Sequence, residues 1–373
     1  MRATFAGGGT GGHLYPAIAI ADALVERGKA RSQPVDIEFV GAKDRLEARI
    51  VPAAGYALRF VISSPLFGRS PIDRLRAVFR NGAGVMAAFA LLLRHKPVLL
   101  IASGGYVCFP VVTAARILRS ARLLSSPIVL LEINAQPGLT NRMLAPLVDE
   151  VWGPFDDAPR EFAEKYYATG VPIRASLRQL PDRAVAAHRL SLDPLKRTLL
   201  VMGGSQGARS INDAVVELLS NQQLPEGWQV LHLSGESDYA RVSSAYQKLG
   251  GSNVVLPFLA DPMDAYACAD VALARAGAAT LAELAAVGLP SILVPYPHAS
   301  EDHQRVNAER FERVGAAAVI DDAKLNAEAL VRTLGTVLGP PTLQRMSEAA
   351  RSLSKPQALD SIIERVHALT GAL

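Results

Sequence analysis

The stretch FAGGGTGGHLYPA, residues 5–17, decides the fold of the first part of this chain. Before it, RATFAG (2–7) has the apolar run of a short buried strand. After it, AIAIADALVERG (17–28) has helical periodicity and ends in glycine, a good helix stop. The glycines therefore fill a strand-to-helix turn. Backbone N–H groups and the positive end of a helix dipole meet in such a turn, which is typical of an anion site, usually one for phosphate.

These glycines have three other interpretations: a tight turn, a dinucleotide-binding pattern and a Walker phosphate loop. The glycines could serve only a tight turn, and this alternative stays open. Gly7, Gly9 and Gly12 also satisfy the dinucleotide pattern G-x-G-x-x-G, which needs an acidic residue at the end of the next strand. That strand, VDIEFVGAK (35–43), ends in Gly-Ala-Lys. A Walker phosphate loop needs a lysine where the chain has His13. We therefore expect no nicotinamide or flavin and no other cofactor.

The composition predicts a folded chain of more than one domain. Its 373 residues correspond to about two domains of ordinary size, and 50% of them are apolar. Cys108 and Cys268 lie in apolar surroundings, with neither metal-ligand spacing nor a disulfide framework, which fits a reducing compartment. Because the first strand leads directly into the glycine turn, we expect no signal peptide.

One uncharged stretch, PVLLIASGGYVCFPVVTAA (97–115), is long enough to be weighed as a membrane span. Gly104-Gly105 and Pro110 interrupt it in the middle. We therefore expect a buried parallel strand, a loop and the start of a helix.

Basic residues are concentrated between residues 69 and 122, although the net charge is only +4. Within that segment, SPIDRLRAVFRNGAGVM (70–86) has helical periodicity. Apolar residues fall on one side of the helix and arginines on its flanks: Ile72, Leu75, Val78, Phe79 and Met86, with Arg76 and Arg80 on one flank and Arg74 on the other. Such a helix could face a protein core or lie on an anionic membrane. The segment has few aromatic residues and no nucleic-acid-binding motif, so we expect no nucleic-acid partner.

The second half of the chain repeats the opening pattern. RTLLVMGGSQGARSINDAV (197–215) again has a buried strand, a glycine turn and a helix, and strands alternate with helices on both sides of it. This alternation predicts an α/β fold of two Rossmann-like domains, whose parallel sheets face each other across a cleft. We expect the first domain to span 1–171, with a C-terminal helix (356–373) that crosses back to it. The second domain is expected to span 172–355.

A second candidate site lies in RAGAATLAELAAVGLPSILVPYP (275–297). Small residues at a strand end would let a diphosphate reach the N–H groups of the helix that starts near Ala278–Thr280. Glu283 could accept two hydrogen bonds from ribose hydroxyls, or could simply be an acid favoured by the helix dipole. HASEDHQRVNAERF (298–311) lacks the spacing of a zinc motif. The chain also has no Asp-x-Asp triplet beside the diphosphate, so we expect no metal site.

Six motifs in order along nearly the whole chain resemble the bacterial MurG family of peptidoglycan N-acetylglucosaminyltransferases. They are GGGTGGHLYPAIAIADAL, ASGGYVCFP, EINAQPGLTNR, MGGSQGARSIN, RAGAATLAELAAVGLPSILVPYP and DHQRVNAERFERVGAA. The resemblance implies an inverting, metal-independent transferase of the GT-B type. It would move GlcNAc from UDP-GlcNAc to the 4-hydroxyl of the lipid-linked muramoyl sugar (lipid I), as a peripheral protein at the cytoplasmic face of the membrane. Cell-wall synthesis proteins would be further partners.

The resemblance also implies roles for individual residues. His13 would be the general base, for which a neutral imidazole near pH 7 is suited, and Glu132 is the rival base. The implied donor and diphosphate contacts are Thr10, Gly11, Gly12, Asn134, Arg174, Ser205, Leu259, Ala278, Ala279, Thr280, Leu281, Ala282, Glu283 and Gln304. The basic helix, with Ile72, Leu75, Phe79, Arg74, Arg76 and Arg80, would dock on anionic lipid.

Two departures from the family pattern matter. Some members have His-Glu-Gln-Asn where this chain has Leu131-Glu132-Ile133-Asn134, and Gln-Gln where it has His303-Gln304. Two other enzymes share the expected architecture: a non-hydrolysing UDP-GlcNAc epimerase and a GT-B transferase with another lipid acceptor. The apolar, arginine-flanked helix would be unexplained in an epimerase. A non-catalytic nucleotide-sugar sensor is the remaining alternative.

Overall fold

The computed structural model describes residues 1–64, 71–204, 206–299 and 302–372, and for residues 71, 72 and 74 only the backbone. The chain divides into two compact units. Unit 1 consists of Met1–Arg174 together with Gln357–Leu373, and unit 2 of Ala175–Pro356.

Unit 1 contains a seven-stranded parallel sheet with helices in its connections. Its strands are β1 (Arg2–Ala6), β2 (Asp36–Gly41), β3 (Ala57–Phe60), β4 (Leu99–Ala102), β5 (Ile128–Leu131), β6 (Glu150–Trp152) and β7 (Tyr166–Tyr167). Its helices before β7 are α1 (Gly11–Ala30), α2 (Glu47–Ala53), α3 (Pro71–His95), α4 (Cys108–Ser120) and α5 (Leu139–Leu144). The strand order is β3-β2-β1-β4-β5-β6-β7. β2 and β3 are therefore added on one side of β1 and the later strands on the other, so the order of addition reverses between β1 and β4.

Unit 2 repeats this plan with six parallel strands. Its strands are β8 (Arg197–Met202), β9 (Trp228–Leu233), β10 (Val254–Leu256), β11 (Val271–Ala274), β12 (Ser291–Leu293) and β13 (Ala317–Val319). Its helices are α6 (Arg183–Arg189), α7 (Arg209–Ser220), α8 (Tyr239–Leu249), α9 (Met263–Cys268), α10 (Ala278–Val287), α11 (His303–Arg313), α12 (Ala327–Val337) and α13 (Pro340–Ser352). The order β10-β9-β8-β11-β12-β13 again reverses beside the first strand. The prediction of two Rossmann-like units with parallel sheets is confirmed.

The last helix, α14 (Ala358–Thr370), belongs to unit 1. Arg365 of α14 pairs with the buried carboxylate of Glu150 in β6, and its guanidinium lies 3.8 Å from the ring centroid of Tyr167 in β7. Glu150 also accepts a 2.8 Å hydrogen bond from the indole N–H of Trp152. A buried carboxylate with these two partners is satisfied, so α14 is attached by a specific polar contact as well as by apolar packing.

The uncharged stretch 97–115 forms a strand, a loop and a helix start, as predicted. β4 lies in the middle of the sheet with all four side chains buried, and α4 begins at Cys108. Most apolar residues of this stretch are buried, although Val98 and Tyr106 are exposed. Leu100 and Val111 belong to one core cluster of unit 1 with Ala88 and Leu92 of α3.

The helix predicted over 70–86 is present but continues to His95 as α3. Its apolar stripe does not face the core: Phe79 is 71% exposed and Met86 is 68% exposed. The helix packs through its other side, where Asn81 exchanges two hydrogen bonds with the backbone of Ser64 at 3.0 and 2.9 Å. By length and composition alone, Leu75–His95 is also apolar enough to cross a membrane.

The buried His232 connects β9 to α7, the helix that follows the second glycine turn (203–207). Nδ1 of His232 in β9 lies 2.9 Å from the hydroxyl of Tyr246, and Nε2 lies 2.9 Å from Oδ1 of Asn212. The amide of Asn212 in turn donates to the carbonyl of Ser234 at 3.0 Å. Burial lowers the pKa of His232 to about 3, so the imidazole is neutral in the folded chain.

The neutral buried His232 should make folding stability depend on pH. An unfolded histidine titrates near pH ~6.5, so below that value the unfolded chain binds a proton that the folded chain excludes. The free energy of unfolding should fall as pH drops from about 6.5 toward 3, by about 2 kcal/mol at pH 5. Above pH ~6.5 the group should have no effect. Urea unfolding between pH 7.5 and 5 measures this change.

The matched variants are His232→Gln, which removes the titrating group, and His188→Gln, which replaces an exposed histidine of α6. His232→Gln should flatten the pH dependence, and His188→Gln should leave it unchanged. Equal slopes in both variants would contradict the assignment of this effect to His232.

Candidate functional site

In unit 1, the loops after β1 and β4 lie where the strand order reverses. β1 pairs with β2 on one side and with β4 on the other, so the connections leave in opposite directions and a crevice opens between them. The predicted glycine turn (7–12) and the Gly104-Gly105 turn both lie at this edge. Open α/β sheets bind their ligands at this position.

The first glycines of the turn are required by protein packing. A Cβ on Gly7 would lie 2.0 Å from Oγ of Ser103, and one on Gly8 would lie 2.2 Å from Oε1 of Glu47. A Cβ on Gly105 would lie 2.5 Å from the carbonyl oxygen of Gly8. Close approach between loops therefore explains this half of the turn.

The second half of the turn faces open space. Among the described residues, no atom lies within 4 Å of the position that a Cβ of Gly9 would occupy. Thr10 precedes α1 in an extended conformation, without a side-chain hydrogen bond to the helix, and the first turn of α1 has no acidic residue. Because the first N–H groups of a helix have no acceptor within it, Gly11 and Gly12 present amides and the positive end of the dipole. This geometry supports an anion site.

His13 lies at the edge of this space, as the third residue of α1. Its ring packs against Gly104, where a Cβ would come within 2.6 Å of both Cε1 and Nδ1. Gly104 has φ +108°, so both its backbone and the neighbouring ring require glycine. The two glycine turns therefore hold the imidazole beside the N-terminus of α1.

Cys108 joins the same two loops. Its thiol accepts the N–H of Gly104 at 3.2 Å and donates to the carbonyl of Ala6 at 3.2 Å. Burial raises the pKa of Cys108 to about 12. The residue is therefore a neutral thiol at physiological pH, with a structural role in the turn.

The carboxylate of Glu132 is buried within the loop that follows β5. Oε1 accepts the backbone N–H of Asn134 at 2.9 Å and its side-chain Nδ2 at 3.1 Å. Oε2 accepts the N–H of Gly138 at 3.0 Å and Nδ2 of Asn141 at 2.9 Å. With four donors around its two oxygens, Glu132 organises the loop and orients Asn134.

Arg174 lies at the end of the first segment of unit 1. Its guanidinium carbon is 5.4 Å from the ring centroid of Tyr15, within the range of a cation–π contact. Tyr15 is in the second turn of α1, so this contact holds a positive charge near the N-terminal end of that helix. Sequence reasoning selected Arg174 but missed the aromatic residue that positions it.

In unit 2, α10 begins directly after β11, beside the corresponding reversal of strand order. Gly277 precedes it in an extended conformation, and neither a side-chain cap nor an acidic residue occupies its first turn. The predicted contacts Ala278, Ala279, Thr280, Leu281, Ala282 and Glu283 all lie in the first two turns of this helix. Its N-terminus is a second candidate anion site.

Two predicted polar contacts of unit 2 are held by neighbours that sequence reasoning missed. The hydroxyl of Tyr266 in α9 donates to Oε2 of Glu283 at 2.7 Å. The N–H of Tyr296 donates to Oε1 of Gln304 at 3.0 Å, so the amide nitrogen of Gln304 is the end that can donate to a ligand. Tyr266 stands in an apolar run of the sequence, where nothing distinguishes it from a core residue.

Arg275 ties the turns of unit 2 together. Its Nη1 donates to Asp322 at 2.6 Å and to the carbonyl of Val294 at 3.1 Å, and its Nη2 donates to Ser210 at 3.0 Å. The side chain is only 12% exposed, so the ion pair with Asp322 is largely desolvated. We call this set of contacts the Arg275 junction. In the sequence, the only indication of it is an arginine that directly follows an apolar strand.

The remaining predicted residues lie elsewhere or outside the described part of the chain. Leu259 is half-buried after the edge strand β10, separated from β11 by β9 and β8. Ser205 and the side chains of Ile72 and Arg74 lie outside the described residues. Within the described ranges, no group of three or more His, Cys, Asp or Glu residues has an arrangement that could hold a metal ion.

Comparisons with known proteins identify the family of the chain. Residues 3–152 match the glycosyltransferase family 28 N-terminal domain, and residues 198–365 match the family 28 C-terminal domain. The UDP-N-acetylglucosamine–N-acetylmuramyl-(pentapeptide) pyrophosphoryl-undecaprenol N-acetylglucosamine transferase of Desulforamulus reducens is 38% identical over 375 residues, which cover 98% of each chain. The chain belongs to this transferase family.

Solved structures agree with the family at the level of the fold. The crystal structure of MurG from Acinetobacter baumannii matches 98% of this chain and 99% of its own, with a TM-score of 0.74 and 24% identity. The calicheamicin glycosyltransferase CalG4 covers 100% of this chain and 98% of its own, with a TM-score of 0.66 and 17% identity. Because the two structures are named for different transferases, the fold alone does not identify the acceptor.

Proposed function

We propose that this chain transfers N-acetylglucosamine from UDP-N-acetylglucosamine to the 4-hydroxyl of the muramoyl sugar of undecaprenyl-diphospho-muramoyl-pentapeptide, lipid I. The product is lipid II, the precursor of peptidoglycan. The observation that carries the proposal is 38% identity along 98% of the chain to a transferase named for these substrates. Both substrates carry a diphosphate. Each unit has a helix, α1 in unit 1 and α10 in unit 2, whose first turn contains no acidic residue.

The two units take different substrates in this proposal. Unit 2 binds UDP-N-acetylglucosamine, with the N-terminus of α10 near the diphosphate, Glu283 on the ribose and Gln304 on the sugar. Unit 1 binds lipid I, with the N-terminus of α1 near its diphosphate. Arg174, which falls in the proposed donor domain, is a further positive charge for a substrate diphosphate. The proposed domains are 1–171 with 356–373 for the acceptor and 172–355 for the donor. No metal is assigned to either site.

The reaction is a displacement at the anomeric carbon. The acceptor 4-hydroxyl forms a bond to that carbon, the bond to the diphosphate oxygen breaks, and UDP leaves with the electron pair. The attacking hydroxyl must lose its proton, and we assign this proton to the imidazole of His13. Its rival, Glu132, already accepts four hydrogen bonds and is assigned a positioning role through Asn134.

Incubation with UDP-N-acetylglucosamine, with and without a lipid I analogue, tests the proposal. UDP release and a lipid-linked disaccharide should appear only when the analogue is present. Appearance of the 2-epimer of the donor sugar without acceptor would indicate an epimerase instead. Transfer to another polyprenyl-linked sugar, but not to the lipid I analogue, would indicate a transferase with a different acceptor.

The exposed stripe of α3 supports a peripheral membrane location. We place the chain on the cytoplasmic face, where we propose that lipid I is reached. Leu75, Val78, Phe79 and Met86 are all more than half exposed, and Arg76 and Arg80 are exposed beside them. The cost of exposing such large apolar side chains to water is removed if they insert at a lipid interface. Arginines beside them would interact with anionic headgroups.

His13→Ala should lower turnover by about 10²- to 10⁴-fold, the usual value of a positioned base. The affinity for UDP-N-acetylglucosamine should stay near normal, because we place the donor in unit 2. Steady-state kinetics and donor binding measure both effects, with the exposed His188→Ala as control. Retained turnover in His13→Ala, together with its loss in Glu132→Gln, would move the base to Glu132.

Glu283→Gln should raise the KM for UDP-N-acetylglucosamine more than it lowers turnover. A ribose contact stabilises the ground state and the transition state alike, and its loss should cost about 1–2 kcal/mol. Tyr266→Phe, which removes the hydroxyl that donates to Glu283, should change the same constant by a smaller factor. The exposed Glu312→Gln of α11 is the matched control. An unchanged donor KM in folded Glu283→Gln would remove this residue from the ribose site.

Binding to anionic vesicles should depend on both charge and apolar area of α3. Arg76→Gln and Arg80→Gln should each weaken binding about fivefold at low salt, because a basic residue near an anionic surface contributes about 1 kcal/mol. Phe79→Ser should weaken binding at every salt concentration. Leu195→Ser is the matched control, since Leu195 is 93% exposed in unit 2. Vesicle sedimentation measures the affinities, and binding unaffected by all three α3 variants would contradict the docking role.

A further inference from the structure

Glu47 is a buried carboxylate beneath the glycine turn, and none of the roles above uses it. It is the first residue of α2 and is fully inaccessible to solvent. Its Oε2 accepts the N–H of Gly9 at 2.9 Å, and its Oε1 accepts the N–H of Ala42 at 2.9 Å. The side chain therefore connects the loop after β1 to the loop after β2. Hydrogen bonds from backbone N–H groups to an ionised acceptor are among the stronger ones in proteins.

Two glycines, Gly8 in the loop after β1 and Gly41 at the end of β2, make room for this side chain. A Cβ on Gly8 would lie 2.2 Å from Oε1 of Glu47, and a Cβ on Gly41 would lie 2.6 Å from its Cγ. Neither position tolerates a side chain while the carboxylate stays where it is. The motif glycine at position 8 is thus explained by Glu47 rather than by a ligand.

The contact determines which amides of the turn remain for a ligand. Gly9 has φ +89°, and its N–H points to Glu47, so this amide cannot also bind a phosphate. The amides of the α1 N-terminus follow directly after it, at Gly11 and Gly12. The conformation of Gly9 therefore sets the direction in which the chain enters α1.

We propose that Glu47 is a positioning residue of the acceptor site, which holds Gly8 and Gly9 so that the N-terminus of α1 is aimed at the diphosphate of the acceptor. This inference rests on the proposed function. Glu47 touches no substrate in this assignment and acts through the backbone of the turn.

Whether Glu47→Gln raises or lowers the acceptor KM separates a positioning role from a purely electrostatic one. A carboxylate near a diphosphate repels it, so if charge alone mattered, Glu47→Gln would lower the acceptor KM. If Glu47 positions the turn, the result is different. Glutamine has only one side-chain oxygen, so its NH₂ group would face one of the two backbone N–H groups that donate to Glu47. Two donors cannot bond to each other, so the turn would shift. We expect the acceptor KM to rise about tenfold, with the donor KM changed less than twofold.

The matched control is Glu38→Gln, a buried carboxylate of β2 that pairs with Arg59 at 2.9 Å. It should change thermal stability without changing the ratio of the two KM values. If Glu47→Gln does not fold, Glu47→Asp takes its place: it keeps both oxygens on a shorter side chain and should also raise the acceptor KM selectively.

A second variant tests the contact from the other side. Gly8→Ala must displace the carboxylate, so it should raise the acceptor KM in the same way. The double variant Gly8→Ala/Glu47→Gln should be no worse than the more damaging single variant, because both act through one contact. Fully additive effects would contradict the shared contact.

The outcomes separate this inference from the proposed function. A wild-type chain that forms no product from the lipid I analogue overturns the proposed function. An active wild type whose folded Glu47 variant keeps or lowers its acceptor KM overturns only the role of Glu47. A selective rise in acceptor KM supports both.

Discussion

The contact of main chain with main chain at the carboxyl ends of the strands is a constraint that both units share, and the candidate site of unit 1 is built on it. In unit 1 the loops after β1 and β4 meet at Gly8 and Gly105, where no Cβ fits. In unit 2 the loops after β8 and β9 meet at Gly207 and Gly235, where a Cβ on the second would lie 2.6 Å from the Cα of the first. Such contacts leave mainly backbone atoms at the edge of each sheet, and backbone N–H groups at a helix N-terminus are suited to bind anions.

The two units place this contact on opposite sides of their first strand. In unit 1 it lies between β1 and β4, at the reversal of strand order itself, and forms the base beneath His13 and the start of α1. In unit 2 it lies between β8 and β9, away from the reversal, and the side next to β11 is left to α10 and the Arg275 junction. The same Rossmann topology therefore gives two differently built candidate anion sites.

Buried carboxylates hold these loops in place through hydrogen bonds. Glu47 and Glu132 are both inaccessible, and their oxygens accept hydrogen bonds from loop N–H or amide groups. In unit 2 the partly exposed carboxylate of Asp322 accepts hydrogen bonds from the guanidinium of Arg275 and the hydroxyl of Ser210. Because a buried charge is costly unless donors surround it, each of these residues specifies one arrangement of its loop. The helix N-termini, which carry no acids in their first turns, stay available for ligand charge.

The sequence by itself determined the elements, the class of fold and the family. Apolar runs ending in glycine turns predicted the central strands, and their repetition after residue 197 predicted a second unit, because these signals are local along the chain. The edge strands β3 and β7 have four and two residues, and such short strands have no clear sequence pattern of their own. Motifs in order along the chain were sufficient to select His13, Arg174 and Glu283.

Only the tertiary structure decided which side of α3 is exposed, and which partners orient the selected residues. Helical periodicity separates two sides of a helix but does not say which one packs, and in α3 the side with Asn81 does. Glu47 and Tyr266 carry no local signal, because their roles come from contacts with Gly9 and Glu283, which are 38 and 17 residues away in sequence. Contacts between distant segments depend on the packing of whole elements, and this is the information that a single sequence read locally does not contain.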